Sequence, residues 1–333
     1  MKATLIRSAV VAAAIATAAP AYAQLNGENL LGDMGVKSGT QPHPGFYVAS
    51  LTYKYRTDTI KDPNGKRVVF DPSQPANQSI NAVVPLVIYV SKYKVLGANY
   101  GMMAVMPVAN GALEAPAFGL VEEASTGASD LYVMPFQLGW HLSRADVTTG
   151  FAFFAPTGRF ENGASDNLGK GMWSYEVSAG TTVYLDRAKS ISVAATGYWE
   201  THGKKSGTSD IEVANRRLTG VRVGQLLTVE GGVGKSFLHG AANVGMAYYA
   251  QWKVTADDFG FGVTLPEGFE KEKHRVYGIG PDVTIPIATK SRLISLINVR
   301  YLWETEARFK TEGQSFLATA TFPVPSFKIA PNR

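Results

Sequence analysis

Cysteine is absent from all 333 residues, so the chain can form no disulfide and offers no thiolate to a metal or substrate. After the N-terminal stretch there is no apolar run of about 18 residues, the length that a membrane-spanning helix needs. The net charge is only +5 and the basic residues are dispersed. These features exclude thiol chemistry, argue against a helical membrane domain and give no reason to expect nucleic acid as a partner.

The first residues have the pattern of an export signal. Lys2 and Arg7 precede an apolar run from 9 to 19, and Ala21-Tyr22-Ala23 then has the small-x-small form of a cleavage site. We predict that residues 1–23 are a signal peptide removed from the mature protein. An exported chain that spans a membrane without helices must close its strands into a barrel, because lipid cannot satisfy a free sheet edge. The predicted location is therefore the outer membrane of a Gram-negative bacterium.

Alternation of apolar and polar residues is the main sign of strands in this chain. It is clearest near 241–255, where Val244 and Met246 alternate with Asn243 and Gln251. Twelve segments have roughly the 10-residue length that a tilted strand needs to cross a bilayer. The predicted strands lie near 45–56, 81–91, 97–107, 130–143, 146–155, 173–185, 190–200, 222–236, 241–255, 274–287, 292–304 and 313–322.

The connections between these segments alternate between short turns and long loops, which is typical of bacterial outer-membrane barrels. We therefore predict an all-β fold, a transmembrane antiparallel β-barrel of about 12 strands, with long extracellular loops and short periplasmic turns. Residues 45–333 form this single barrel domain. Residues 24–44 are rich in Gly and Pro and show neither the apolar period of a strand nor that of a helix. We therefore expect an irregular N-terminal segment that enters the lumen and plugs it.

Tryptophan and proline provide two further expectations about the barrel wall. Trp173, Trp199 and Trp303 fall at the loop ends of predicted strands, where barrels place an aromatic girdle. In the segment near 130–143, the apolar pattern changes face before Trp140. A β-bulge near Pro135 would account for that change.

Several stretches together resemble one known family. They are Gly39–Tyr47 (GTQPHPGFY), Asp130–His141 (DLYVMPFQLGWH), Ala155–Phe160 (APTGRF) and Gly245–Gln251 (GMAYYAQ). In this order they are similar to the outer-membrane proteins of the phenol meta-pathway degradation (MetA-pathway) family. The resemblance implies a barrel that admits hydrophobic or aromatic molecules, with a role comparable to that of the outer-membrane transporters for fatty acids and toluene. It implies no catalytic residue and no cofactor.

Charged residues within the predicted strands are the candidate site. Charge on the lipid face costs roughly 2–4 kcal/mol for Arg or Lys at the membrane midplane, so we expect these side chains to point into the lumen. There they would either form a charged constriction that selects the permeant or only connect neighbouring strands of the wall. The candidates are Lys54, Arg56, Glu176, Glu200, Glu230, Lys253, Arg300 and Glu304.

The sequence favours an outer-membrane porin or transporter for the uptake of small hydrophobic or aromatic molecules by passive diffusion, without enzyme activity. Its expected partners are outer-membrane lipids, lipopolysaccharide and the permeant, and no metal or cofactor is expected. One alternative is a lipid-modifying enzyme, because His141 and Ser143 share a strand face, although a nucleophilic serine also needs a third group to orient the base. The other alternative is a structural barrel without transport.

Overall fold

A computed structural model describes residues 26–69, 75–115, 120–161, 164–207, 209–213, 216–258, 273–289 and 293–324. The predicted signal peptide lies outside these residues. Within them the chain forms strands and a single-turn 3₁₀ helix, Leu238–Gly240. The strands are β1 (Gly45–Thr57), β2 (Asn77–Val95), β3 (Ala98–Val105), β4 (Val108–Ala115), β5 (Leu120–Ala128), β6 (Leu131–His141), β7 (Ala145–Ala155), β8 (Ser174–Tyr184), β9 (Ile191–His202), β10 (Ser209–Val213), β11 (Arg216–Thr219), β12 (Leu226–Phe237), β13 (Ala242–Lys253), β14 (Arg275–Ala288), β15 (Leu293–Arg308) and β16 (Gln314–Val324).

Twelve of these strands close into an antiparallel barrel. Their order around the wall is β1, β16, β15, β14, β13, β12, β9, β8, β7, β6, β3 and β2, and pairing of β1 with β2 completes the circle. The predicted fold class and each of the predicted strands are thereby confirmed, with strand ends that differ by a few residues. No helix in the described part of the chain is long and apolar enough to span a membrane.

Two hairpins lie in segments that were predicted to be plain loops. Strands β4 and β5 pair with each other, and β4 also pairs with the Asn77–Val83 part of β2. Strand β3 pairs with β2 from Leu86 onward, so β3 and β4 lie end to end along the same edge of β2. The β4–β5 hairpin therefore extends the wall at its loop end. Strands β10 and β11 form a separate two-stranded sheet.

Alternate residues of the wall strands face inward and outward. On β13, Asn243, Ala247 and Gln251 are buried, whereas Val244 and Met246 are 52% and 45% exposed on the outside. This agrees with the predicted polar inner face and apolar outer face. The expected bulge is also present, since the pairing of β6 with β7 shifts its register between Val133 and Phe136.

An aromatic girdle occupies the outer surface at the loop end. Trp173, Trp199 and Trp303 are 48%, 43% and 47% exposed and stand beside or at the ends of β8, β9 and β15. Trp303 lies against Tyr301, with ring centroids 5.0 Å apart. Amphipathic rings prefer the boundary between lipid and water, so the girdle marks the upper edge of the apolar belt.

Candidate functional site

The inner surface of the barrel holds the part of the chain that precedes β1. We call residues 26–41 the luminal segment. At the loop end, the Glu28 backbone N–H donates to Glu200 Oε1 at 2.6 Å. At the turn end, Lys37 Nζ donates to the carbonyl of Gly240 at 3.2 Å, and Gln41 Nε2 donates to Gln137 Oε1 at 3.0 Å. The segment therefore runs the length of the lumen before β1 begins.

Inward-pointing carboxylates hold the backbone of the luminal segment. Glu230 accepts the N–H groups of Gly32 and Met34 at 2.8 and 2.9 Å, through its two separate oxygens. Asp282 accepts the N–H of Val36 at 3.0 Å. Because the segment is neither helix nor strand, these carboxylates provide the acceptors that its own backbone lacks.

Arg300 joins the wall to the same segment. Its Nε lies 3.1 Å from Asp282 Oδ2, and its Nη1 donates to the carbonyls of Gly32 and Asp33. The guanidinium thus balances the carboxylate of Asp282 and satisfies backbone acceptors, while Asp282 and Glu230 satisfy backbone donors. Backbone donors and backbone acceptors of the irregular segment are thus both hydrogen-bonded inside the lumen.

Glycines in the wall make room for the segment. A Cβ on Gly234 would lie 2.9 Å from Val36 Cγ1 and 3.1 Å from Val36 Cβ, and a Cβ on Gly245 would lie 2.7 Å from Val36 Cγ1. These distances are shorter than ordinary carbon contacts, so a larger residue at either place would displace the valine. Glycine inside a strand thus permits the close approach of another segment here.

An apolar surface lines the lumen on the adjoining strands, from β13 through β14, β15, β16 and β1 to β2. Leu30 and Leu31 of the luminal segment pack against it, together with partly buried residues of β2, β3 and β4. We call this surface the apolar wall. It contains three tyrosines along with small and branched apolar side chains. Its buried members are Leu51, Tyr53, Tyr55, Ala82, Val84, Ala247, Tyr249, Val276, Leu302, Ala307 and Leu317.

Six of the eight predicted site residues lie on the inner side of the wall. Glu176, Glu200 and Glu230 are each at most 1% exposed and occupy inward positions of β8, β9 and β12. Glu304 accepts hydrogen bonds from the hydroxyls of Tyr55 and Tyr249 at 2.8 and 2.9 Å. The remaining two inward residues are Lys253 and Arg300.

Both inward cations pair with carboxylates outside the predicted set. Lys253 forms an ion pair with Asp257 at 2.7 Å, and Arg300 forms one with Asp282. Sequence reasoning missed Asp282, although Ile279, Pro281 and Val283 make the other face of β14 apolar and so predict that Asp282 points inward. A constriction that selects the permeant stays a prediction.

The inward placement of Lys54 and Arg56 is wrong. On β1 the inward positions belong to Leu51, Tyr53 and Tyr55, so the two cations occupy the outward, exposed positions. Tyr55 finds hydrogen-bond acceptors inside the lumen, and this fixes the face of β1 that points inward.

Comparison with known proteins identifies the family. Residues 57–319 match the family described as "Putative MetA-pathway of phenol degradation". The chain belongs to this family. A search of curated proteins gave no match.

Two solved structures are similar to this family member at low sequence identity. The COG4313 outer membrane channel from Pseudomonas putida F1 is 12% identical, covers 89% of this chain and 100% of its own, and has a TM-score of 0.69. The β domain of the Bordetella autotransporter BrkA is 10% identical, covers 84% and 100%, and has a TM-score of 0.46. The first likeness shows the fold of an outer-membrane barrel, and this fold together with the apolar exterior indicates an outer-membrane location.

His141 and Ser143, at the turn end of the barrel, do not form a catalytic pair within the described residues. His141 Nδ1 lies 3.1 Å from Asp146 Oδ1, but neither of its nitrogens makes a hydrogen bond with Ser143 there. The other oxygen of Asp146 accepts from the hydroxyls of Thr40 and Tyr184 at 3.0 and 2.5 Å. The aspartate therefore joins the luminal segment to β7 and β8.

Loop lysines lie close to one another at the extracellular mouth. Lys205 Nζ donates to the carbonyl of Lys170 at 2.6 Å and lies 4.9 Å from the centroid of the Phe160 ring. Burial lowers the pKa of Lys205 to about 7 and that of Lys310 to about 8. Among the described residues, no group of three or more His, Asp or Glu side chains is arranged to hold a metal ion.

Proposed function

We propose that this barrel is an outer-membrane channel for the passive uptake of small hydrophobic or aromatic molecules, and that the luminal segment is its plug. The family's description refers to phenol degradation, and the P. putida structure with the same fold is an outer membrane channel. Both support a channel function. The class of permeant follows from the chemistry of the inner surface.

The apolar wall is the observation that carries the proposal. Water-filled pores are lined mainly by polar groups, whereas here three tyrosines and several aliphatic side chains form a continuous inner surface. Leu30 and Leu31 cover that surface in the plugged state. When the segment moves, the same surface becomes available to an apolar or aromatic molecule of similar size. Tyrosine rings offer such a molecule both an apolar face and a hydroxyl.

The luminal segment is suited to moving because its backbone hydrogen bonds to the wall are made one at a time by separate side chains. Its backbone is held by single side chains such as Glu230 and Asp282 rather than by a continuous ladder of strand hydrogen bonds. Water can replace each of these hydrogen bonds as the segment leaves. The surrounding barrel keeps its own backbone pairing throughout, so opening does not require the wall to unfold.

Uptake by whole cells tests this function, since an intact outer membrane slows the entry of apolar molecules. Cells of a strain that lacks other aromatic channels would express the wild type or a deletion of Leu25–Lys37, at matched levels of folded barrel. We expect wild-type cells to take up radiolabelled phenol faster than cells with an empty vector. The deletion should raise the rate further.

A disaccharide whose uptake does not depend on expression of the barrel serves as the control solute. The variant Tyr249→Ser tests the contribution of the apolar wall. The tyrosine substitution should slow phenol uptake in the deletion background while leaving the disaccharide unaffected. Equal phenol uptake in wild-type and empty-vector cells would refute the channel. Hydrolysis of membrane lipid that is lost in Ser143→Ala would instead favour the enzyme alternative.

A further inference from the structure

Two cations on the outside of the barrel need an explanation, because an Arg or Lys facing lipid at the midplane costs roughly 2–4 kcal/mol. Their depth can be estimated from the strand. A strand tilted by about 40° advances about 2.5 Å per residue along the membrane normal. Starting from Phe46, an outward residue at the turn end, Lys54 lies about 20 Å and Arg56 about 25 Å higher. The apolar belt is about 25 Å tall, so both lie at its outer edge.

Neighbouring strands confirm this depth independently. Arg56 is paired with Gln314, which is itself paired with Trp303 of the aromatic girdle. Lys54 is related in the same way to Tyr301, through Phe316. In a sheet tilted by about 40°, each step to the next strand changes the height by about 3 Å, so both cations lie within about 6 Å of the level of the girdle, near the lipid headgroups.

A row of hydrogen-bonded polar side chains extends from Arg56 across the outer surface. Arg56 Nη2 donates to Asn81 Oδ1 at 3.0 Å, and Asn81 Nδ2 donates to Asn110 Oδ1 at 2.8 Å. Asn110 Nδ2 then donates to Thr126 Oγ1 at 3.1 Å. The row crosses β1, β2, β4 and β5, so the extended hairpin presents a polar surface directly above the apolar belt.

Next to this row is a cleft of about 600 Å³. Two of its acidic residues are already neutralised, because Asp58 pairs with Arg67 at 3.4 Å and Glu312 pairs with Lys61 at 3.0 Å. The lining also includes Arg56, Asn77, Ser79, Glu114 and Gln314.

Lys54 has no ion pair or hydrogen bond with any described residue. It lies below the cleft, two residues before Arg56 and on the same outer face of β1. Arg56 uses Nη1 and Nη2 for backbone and Asn81 acceptors, which fixes its guanidinium at the cleft. Two positive groups thus face outward, one of them held in place and the other free of protein partners. Nearby amides and a hydroxyl complete the surface with neutral donors and acceptors.

We infer that this cleft binds the phosphorylated sugar headgroup of an outer-leaflet glycolipid. Arg56 and Lys54 would contact the phosphate, since a guanidinium and an ammonium both donate charge-assisted hydrogen bonds to phosphate oxygens. Asn77, Ser79 and Gln314 provide the neutral groups that bind sugar hydroxyls. Glu114, at the far end of the cleft, accepts a hydroxyl rather than the phosphate.

Titration of the full-length protein in detergent with bisphosphorylated lipid A tests the inference, with the dissociation constant as the readout. Removing each positive charge should weaken binding by about fivefold, so Arg56→Gln and Lys54→Gln together should weaken it by about 25-fold. Lys235→Gln is the matched control, because Lys235 also faces outward but lies near the turn end of β12. Its affinity should equal that of the wild type. Heat-modifiable migration on gels confirms that each variant is folded.

Two further ligands distinguish the source of the phosphate. Lipid A without phosphates should bind wild-type protein as weakly as the double variant binds the intact lipid. Inorganic phosphate should compete only at far higher concentration than lipid A. Wild-type affinity in the double variant, equal binding of the dephosphorylated lipid, or competition by inorganic phosphate at the same concentration would each overturn the inference.

Discussion

Replacement of Glu230 by glutamine should loosen the luminal segment without changing the shape of the wall. The carboxylate accepts two backbone N–H groups through separate oxygens, from Gly32 and Met34. The amide of Glu230→Gln keeps one acceptor and turns an NH₂ donor toward the other N–H. Hydrogen bonds to a charged group contribute about 1.5–3 kcal/mol each, and neutral ones about 0.5–1.5 kcal/mol.

The exchange therefore weakens seating of the segment by about 2–4 kcal/mol in a dry site. Water in the lumen lowers the effect, and we take about 2 kcal/mol, which is a shift of about 30-fold in the seating equilibrium. Single-channel recording measures this as a rise in the open probability. Glu304→Gln is the control, because Glu304 is also a luminal glutamate but bonds to Tyr55 and Tyr249 in the wall. Equal open probabilities in both variants and the wild type would refute the reasoning.

Three other substitutions test separate parts of the structure. Arg300→Glu reverses the charge that faces the luminal segment, so reversal potentials across a salt gradient should shift toward cation selectivity; a wild-type value in a folded variant would contradict this. Asp130→Ala removes an acceptor that holds the N–H groups of two loop residues at 2.9 and 2.6 Å, and should lower the free energy of unfolding by about 3 kcal/mol in denaturant titrations, whereas an unchanged midpoint would show that the loop is held by other contacts. Burial lowers the pKa of Lys310 to about 8 in the folded protein, against about 10.4 in an unfolded chain, so stability should rise between these pH values. Lys310→Gln should abolish that rise, and an identical pH profile would exclude Lys310 as its cause.

The barrel could be predicted from the sequence because its wall follows a single local rule. Alternation with a period of two, strand lengths near 10 residues and alternating connection lengths are all visible along the chain, and β13 shows them most clearly. Even the bulge near Pro135 has a local sign in the change of face before Trp140. The β4–β5 hairpin has no such sign, because strands beyond the membrane are not required to match its thickness or polarity.

Register and long-range contacts could not be obtained in the same way. Tyrosine suits both the lipid boundary and a hydrogen-bonded lumen, so the face of β1 depended on the acceptor for Tyr55, which comes from the distant Glu304. The contacts of the luminal segment with Glu230 and Asp282 join residues about 200 to 250 positions apart in the sequence. Only closure of the barrel brings them together, and an irregular segment carries no period that predicts its partners.

A reversible cross-link can show whether the luminal segment must leave its position in the lumen for a molecule to pass. Val36→Cys with Gly234→Cys adds the only two cysteines to a chain that has none. Their Cβ atoms would be about 3.1 Å apart and reach disulfide spacing, near 3.8 Å, after a small shift.

The measurement is phenol uptake by cells that express this double variant, before and after treatment with a membrane-permeant reductant, with the Val36→Cys single variant as control. We predict that uptake is low in the oxidised double variant, rises on reduction, and does not respond to reductant in the single variant. Undiminished uptake through the oxidised double variant, with cross-linking confirmed by gel mobility, would contradict the account.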